Sequence, residues 1–547
     1  RENANYNKVV EQLGQKFSNH CLPLQIPIGA AEEFKGVIDL LKMKAYLGEE
    51  AQEVEIPAEL KDEAQTWKDK LVEAVAELDD EMIEKYLGGE EITAQELEKG
   101  LAQAVSQRKL IPILAGSALK NIGISSLLDN IVSYLPSSAE KVEKTDSEEI
   151  KADVNGSLAA LVFKTTADPY VGKLTYFRVY SGTISSNTHI WNATHEAQER
   201  IGQLFTMRGK EQESTEQISA GDIGAVAKLS VTNTGDTLGE HGKKIKIEPI
   251  DFPKPIFNEA VHPKTKADLD KLGTALSRLV EEDPTLEVKR DTDTSETIIS
   301  GMGETQLGVV AERMARKFGV GVELSTPKVP YKETITIATE AEHKHKKQSG
   351  GHGQYGHVKI KLEPLPRGTG MEFVDKIVGG SIPRNYIPSV QKGIKEQTQE
   401  GVLIGSKVED VRIILYDGSF HAVDSSDICF KIAGAQALKK GLVAGQPILI
   451  EPIVNLKVTI PNDFTGDVIG DLNTKRAHVQ GMNPSDGNNE VDAQAPLAEV
   501  QRYAIDLKSL TQGQGTYTVE FSHYAQVPVH KSQQLTAERQ AEKEAKI

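Results

Sequence analysis

The chain has 547 residues (59.7 kDa), 38% apolar and 26% charged, as expected of a water-soluble protein of about three to five domains. No run approaches the roughly 18 apolar residues that span a bilayer, which excludes a helical membrane protein. Two cysteines, Cys21 and Cys429, exclude a disulfide scaffold and suit a reducing cytoplasm, while a net charge of −17 excludes indiscriminate nucleic-acid binding but not a local RNA-reading surface.

Arg1 to Tyr6 carries no signal-peptide pattern, and a start at Arg is what a sequence continuing upstream would show. Residues 8–17 follow a helical pattern, and 22–28 form an apolar run suited to a buried strand. Residues 31–100 then hold 21 Asp or Glu against 8 Lys, which is −13 of the −17. After Pro57, the residues Leu60, Ala64, Trp67, Leu71, Ala74, Leu78 and Met82 recur at spacings of three and four. They predict one amphipathic helix, which Gly88-Gly89 ends. Thr93 with Glu96 is a capping box that opens a second helix burying Leu97, Leu101 and Val105. Two readings fit this acidic stretch: a solvated face, or a docking surface for a partner helix or a basic protein.

A second buried strand is expected over 110–115, followed by a polar turn at 116–121 and a helix carrying Ile124, Leu127, Leu128, Ile131 and Tyr134. Strand, turn and helix in that order predict a doubly wound α/β sheet, whose ligands sit at the strand C-ends. Residues 136–157 read as a linker. Over 158–250 short β-rich runs alternate with Gly turns, as in an antiparallel β-barrel. From 252 to 324 the order is strand, helix, strand, strand, helix, strand, and residues 455–522 repeat it. Two βαββαβ units therefore flank a mixed region, 328–451.

The letters Gly351-His-Gly-Gln-Tyr-Gly356 match a dinucleotide fingerprint, but no strand precedes them and a strand, not a helix, follows. A G-x-x-x-x-G-K-[S/T] phosphate loop occurs nowhere in the sequence. His343, His345, His352 and His357 would suit a transition metal, but no cysteine stands near and the neighbouring lysines repel a cation. The alternative is a basic, Gly-rich hairpin tip between strands at 333–339 and 357–362. Such a tip on an acidic protein suits phosphate backbone, with Tyr355 offering a face for a base. His421 lies in a second polar turn, Asp417 to Asp427, before a helix that Asp424 or Ser425 would cap. No Ser/His/Asp or paired-carboxylate arrangement has persuasive spacing.

Several segments closely resemble the bacterial elongation factor G family. They are Ala167-Asp-Pro-Tyr-Val-Gly-Lys-Leu-Thr-Tyr-Phe-Arg-Val-Tyr-Ser-Gly182, Gly301-Met-Gly-Glu304, Ser349-Gly-Gly-His-Gly-Gln-Tyr-Gly-His357 and Gly380-Ser-Ile-Pro-Arg-Asn-Tyr-Ile-Pro388. His421-Ala-Val-Asp-Ser-Ser426, Gly466-Asp-Val-Ile-Gly-Asp-Leu472 and Ser509-Leu-Thr-Gln-Gly-Gln-Gly-Thr-Tyr517 continue the series in family order. The resemblance implies a translational GTPase that moves tRNA and mRNA through the ribosome. In that family an Asn-Lys-x-Asp motif stands just before the equivalent of Arg1, so the phosphate loop and switch segments are expected upstream.

The resemblance divides the chain as follows. Residues 1–135 are the C-terminal part of a P-loop GTPase α/β domain with an acidic helical insert at about 31–105, and 136–157 are a linker. Residues 158–251 are an antiparallel β-barrel, 252–327 a ferredoxin-like domain, and 328–451 an elongated α+β domain reaching the decoding site. Residues 452–531 form a second ferredoxin-like domain and 532–547 a C-terminal helix or tail. Ser117, Ala118 and Leu119 would be the last guanine-contacting turn. Ser349, Gly350, Gly351, His352, Gly353, Gln354, Tyr355 and Gly356, with His421, Asp424, Ser425 and Ser426, would be the RNA-contacting tip, placing Gln354 and His421 beside the codon–anticodon helix.

The implied cofactor is GTP or GDP with Mg in the intact protein, with no catalytic residue, metal or bound nucleotide in this chain. The implied partners are the ribosome, through rRNA, the stalk protein and small-subunit proteins, and the tRNA–mRNA duplex, met by a cytoplasmic monomer. Thr305, Gln306, His352, Val500-Gln-Arg502 and Gln514 depart from the usual family residues. They keep open a paralogue acting in ribosome protection or in recycling with the ribosome recycling factor. A ribosome-docking body without hydrolysis is the other alternative.

Overall fold

The computed structural model describes residues 3–17, 20–90, 92–140, 142–145, 149–168, 172–209, 211–243, 245–348, 353–485 and 487–544. The chain divides into two compact units, one of residues 1–161, 177–226 and 236–248, the other of 162–176, 227–235 and 249–547. The architecture is multidomain α/β and α+β, dominated by antiparallel sheets. Among the described residues no helix is long and apolar enough to cross a membrane. Cys21 and Cys429 are both buried free thiols.

In the first unit, the helix Tyr6–Phe17 precedes two strands where one was expected. Cys21–Pro23 pairs in parallel with Ile111–Ile113, while Gln25–Ile28 turns into a different, four-stranded antiparallel sheet with Gly36–Asp39, Lys44–Leu47 and Gln52–Val54. The apolar run is uniform in composition, so periodicity held no sign that Leu24 parts two sheets. The insert at 31–105 is thus not helical throughout, since Gly36–Asp39, Lys44–Leu47 and Gln52–Val54 are strands. Its helices begin after Pro57, and the expected single helix is two, Lys61–Ala76 and Asp80–Gly88. The break follows from Asp79, whose side chain caps the second helix by accepting from the amides of Glu81 and Met82. Gly89 ends that helix in the left-handed conformation at φ 74°.

The capping box of Thr93 and Glu96 is formed at the start of Ala94–Ser106. Leu97, Leu101 and Ala104 are the residues this helix buries, with Val105 only partly covered. The strand Ile111–Ile113 was expected to be buried. It pairs on one side only among the described residues, and Ile111 is 46% exposed. The linker at 136–157 also contains structure, an antiparallel pairing of Val142–Lys144 with Glu149–Lys151. Its Ile150 sits in an apolar cluster with Ala159, Leu161, Ile245 and Ile247. Polar composition hid that one buried side chain.

From Ala159 to Gly239 the described residues form strands and turns with no helix. The described pairings of these strands within the first unit are antiparallel, including Leu204–Arg208 with Glu211–Thr215 and His189–Asn192 with Ala197–Arg200.

In the second unit the two βαββαβ segments share one strand order. The first is Phe257–Pro263, the helix Lys266–Glu282, Glu287–Arg290, Thr297–Gly301, the helix Glu304–Arg313 extended by a π turn, and Val322–Ser325. Numbered by position in the motif, its strands lie 2-3-1-4. The second runs from Pro447–Pro461 through Thr465–Thr474, His478–Ser485, Asn488–Pro496 and Tyr503–Leu510 to Thr516–Gln526, and its strands also lie 2-3-1-4. Their buried residues form a single apolar cluster that includes Phe257, Leu276, Leu307, Val458, Leu472 and Tyr503.

Candidate functional site

Between those segments lies a four-stranded sheet in the order Thr339–Lys347, Gln354–Pro364, Val411–Ser419, Met371–Asp375. The first three strands are antiparallel and the last runs parallel to its neighbour. Along Gln354–Pro364 the residues Gly356, Val358, Ile360 and Leu362 are buried, while Tyr355, His357, Lys359 and Lys361 alternate with them on the other face. The apolar face is covered by the helices Ile387–Gln397 and Asp427–Ala444, whose Ile394, Phe430, Ala433 and Leu438 complete the core. Gly393 lets the helices touch backbone to backbone, because a Cβ there would lie 2.0 Å from the carbonyl oxygen of Lys431.

This sheet carries the two polar loops to one end. The strand Thr339–Lys347 runs through His343 and His345, so these two lie in the ladder rather than in a turn. His343 opposes Val358 and His345 opposes Gly356 on the helix side, whereas Lys344 and Lys346 oppose His357 and Tyr355 on the other. Burial lowers the pKa of His343, with help from Lys440, so the ring resists charging. Among the described residues no group of three His, Cys, Asp or Glu side chains is placed to hold a metal.

Ser349, Gly350, Gly351 and His352 lie outside the described residues; Gly353, Gln354, Tyr355 and Gly356 do not. The Gln354 amide oxygen meets His345 Nε2 at 2.9 Å. Tyr355 carries Lys344 Nζ 5.3 Å above its ring and has the His421 ring 6.3 Å away, centre to centre. Its hydroxyl meets Ser419 Oγ at 2.8 Å, and the same Oγ reaches His357 Nδ1 at 3.1 Å. Gly356 permits the strand to approach the start of the long helix, since a Cβ there would stand 2.9 Å from the Cys429 carbonyl.

The second loop is stitched to the first by two residues. Ser425 Oγ accepts from the His421 amide at 2.8 Å and donates to the Tyr355 carbonyl at 2.9 Å. Asp424 Oδ1 accepts from the Gly353 amide at 2.9 Å, and the Asp424 carbonyl accepts from the Tyr355 amide at 2.9 Å. His421 Nδ1 lies 3.1 Å from Asp424 Oδ2 and 3.2 Å from the Asp424 amide. An unprotonated Nδ1 takes the amide; a protonated one donates to the carboxylate. In both cases Nδ1 is occupied by Asp424 and Nε2 is left for a ligand, on a side chain 55% exposed.

Neither Asp424 nor Ser425 caps the helix. The N-cap is Ser426, whose side chain makes no capping bond and instead meets Cys429 Sγ at 3.1 Å. Asp424 and Ser425 are withdrawn from capping because the neighbouring hairpin engages them. Sequence reasoning missed Ser419, Tyr386 and Lys344. Tyr386 stacks on Phe430 with centroids 4.8 Å apart and donates to the Ser425 carbonyl at 3.2 Å. Both Ser419 and Tyr386 stood inside segments already singled out, but partners 39 or 64 residues away leave no mark in local spacing.

In the other unit, Ser117, Ala118 and Leu119 form the turn between Ile111–Ile113 and the helix Ile124–Tyr134. The turn is closed by the Ser117 amide on the Ile122 carbonyl at 2.9 Å, with the reverse bond at 3.1 Å. Ser117 Oγ accepts from the Lys120 amide at 3.3 Å, and Leu119 is 99% exposed. Ser117 borders a cleft of about 340 Å³ with Asn5, Tyr6, Pro27, Gly29 and Gly116.

These features define a class: a multidomain α/β and α+β protein in which a sheet and two helices project paired polar loops. Residues 157–241 match the family profile for elongation factor G domain 2, 252–326 that for domain III, 327–446 that for domain IV and 448–535 that for the elongation factor G C-terminus. A crystal structure of a protein from Thermus thermophilus superposes with a TM-score of 0.75 at 38% identity, covering 98% of this chain and 79% of that one. The chain belongs to the elongation factor G family.

Proposed function

We propose that the protein is a translocase: it inserts the loop pair 349–357 and 421–426 beside the tRNA–mRNA duplex and bars its backward movement on the ribosome. The observation that supports the reading is the joining of Gly353 and Tyr355 to the second loop through Asp424 and Ser425, which leaves His421 and the Lys344–Tyr355 pair at the end of the sheet. Groups of this kind contact 2′-hydroxyls, phosphates and base faces without reading sequence, which suits a factor acting on every codon.

In this reading the turn Ser117-Ala118-Leu119 contacts guanine of GTP or GDP, and Mg accompanies the nucleotide in the intact protein. The backbone-closed turn and the adjoining cleft support that assignment. Hydrolysis elsewhere would drive the conformational cycle, with the 547-residue chain alone inactive toward GTP. Further proposed partners are rRNA, small-subunit proteins and, at the acidic helices, the ribosomal stalk.

The reading is tested with His421→Ala. Losing one hydrogen bond of about 1.4 kcal/mol should slow tRNA movement about tenfold while ribosome-stimulated GTP hydrolysis stays near wild type. Equal loss of both activities would show that His421 supports folding or docking instead.

A further inference from the structure

We infer that Asp424 is a positioning residue: its carboxylate clasps the hairpin and the second loop together and sets the His421 ring for its ligand, rather than touching RNA itself. The inference rests on the reading of the tip given above. The two carboxylate oxygens have separate tasks, Oδ1 taking the Gly353 amide at 2.9 Å and Oδ2 standing 3.1 Å from His421 Nδ1. The Asp424 main chain repeats the link, its carbonyl bound to the Tyr355 amide at 2.9 Å and its amide directed at His421 Nδ1 at 3.2 Å. A histidine ring held at one nitrogen by a carboxylate has its orientation defined at the other. Asp424 is also unsuited to direct contact, because a carboxylate facing phosphodiesters repels them. In the reading of the tip given above, the ligand class at Nε2 is an RNA backbone group, a 2′-hydroxyl or a phosphate oxygen. Poly-ribonucleotide and poly-deoxyribonucleotide competitors distinguish these two, since only the former offers the hydroxyl.

The test has two arms on the full-length protein. In the first, ¹⁵N-histidine-labelled protein is compared with Asp424→Ala, and the His421 ring signals are assigned by their loss in His421→Ala. The account expects those signals to move in Asp424→Ala and to stay in place in Ser426→Ala; unmoved signals in Asp424→Ala overturn it. In the second, the rate of tRNA movement is measured at saturating factor. Asp424→Ala should slow it by about the same fold as His421→Ala, on the order of tenfold, and the double variant should be no slower than His421→Ala alone. Asp424→Asn retains an oxygen for Gly353 and an N–H for Nδ1, so it should restore most of the rate. Losses that multiply in the double variant would assign Asp424 its own contact and overturn the inference. If His421→Ala moves tRNA at the wild-type rate, the reading of the tip fails, while the ring signals still decide the clasp.

Discussion

At the scale of single residues, the molecule repeatedly satisfies one demanding group with a whole loop. Glu333 is 1% exposed, and its carboxylate accepts five backbone amides, from Val402 at 2.6 Å through Leu403, Ile404 and Gly405 to Ser406 at 3.1 Å. An acceptor-only group is what five converging donors require. Glu333→Gln puts an NH₂ among those donors, and we expect a loss of about 3 kcal/mol, read as a lower denaturation midpoint of the cooperative unit that contains it. An unchanged midpoint would mean the loop rearranges freely. Gln306 shows the same economy, at one of the positions that depart from the resembled family pattern. Its Oε1 takes the Met302 amide at 2.6 Å and its Nε2 gives to Asp283 and Thr285, each at 2.8 Å. No residue-scale pattern in the sequence reveals such partners, because they lie 4 to 73 positions away and polar side chains carry no periodic signature.

Among elements, legibility followed the strength of the local signal. The Thr93–Glu96 capping box was readable because its partners stand within one helical turn of each other, and it is formed as expected. Lys85 and then Thr93 hold the Glu96 carboxyl down to about 2, against an ordinary 4.5. A depressed carboxyl stabilises the fold above its unfolded value and loses that contribution as the pH falls from about 4.5 toward about 2. A carboxyl-carbon NMR titration should place the Glu96 midpoint near 2; a midpoint at the ordinary value would contradict the box. Thr93→Ala should cost about 1 kcal/mol of helix stability. The three strands at 36–54 were missed for the opposite reason. Each is three or four residues long, too short for alternation to stand out against a charged background. The break at Asp79 was missed because the apolar stripe continues across it, although an Asp followed by two acidic residues is a legible cap.

Across the molecule, the repeat of βαββαβ order was visible in the sequence, whereas its consequence, one shared apolar cluster, was not. Periodicity names the face each strand buries and is silent on what covers it. Two of the departures, Gln501 and Arg502, fall where the two segments meet: Arg502 bonds Glu304 at 2.9 Å and Gln501 bonds the Pro327 carbonyl at 2.7 Å. A second junction gathers Lys332, 2.9 Å from Glu409 and 4.3 Å above the Tyr524 ring, with Lys407 at 2.8 Å from Glu409 and 3.7 Å from Asp293. Burial pushes the Glu409 carboxyl up, but the bonds from Lys407 and Lys332 outweigh it and leave it below the ordinary 4.5. The junction is therefore intact above pH 4.5 and loosens as the pH falls below it. Protection factors of the amides at 407–409, with exchange corrected for its intrinsic pH dependence, should fall as the pH drops below 4.5 in wild type and be already lowered in Lys332→Met. Equal exchange in both would show that the junction contributes nothing.

The central claim is that the braced loop pair moves tRNA and mRNA together. It is tested most directly by a toeprint of mRNA position on pre-translocation ribosomes supplied with the full-length protein and GTP. The account predicts a shift of about three nucleotides, one codon, that His421→Ala slows without shortening. GTP consumed with no shift of the toeprint would contradict it and assign the family fold here to recycling or protection.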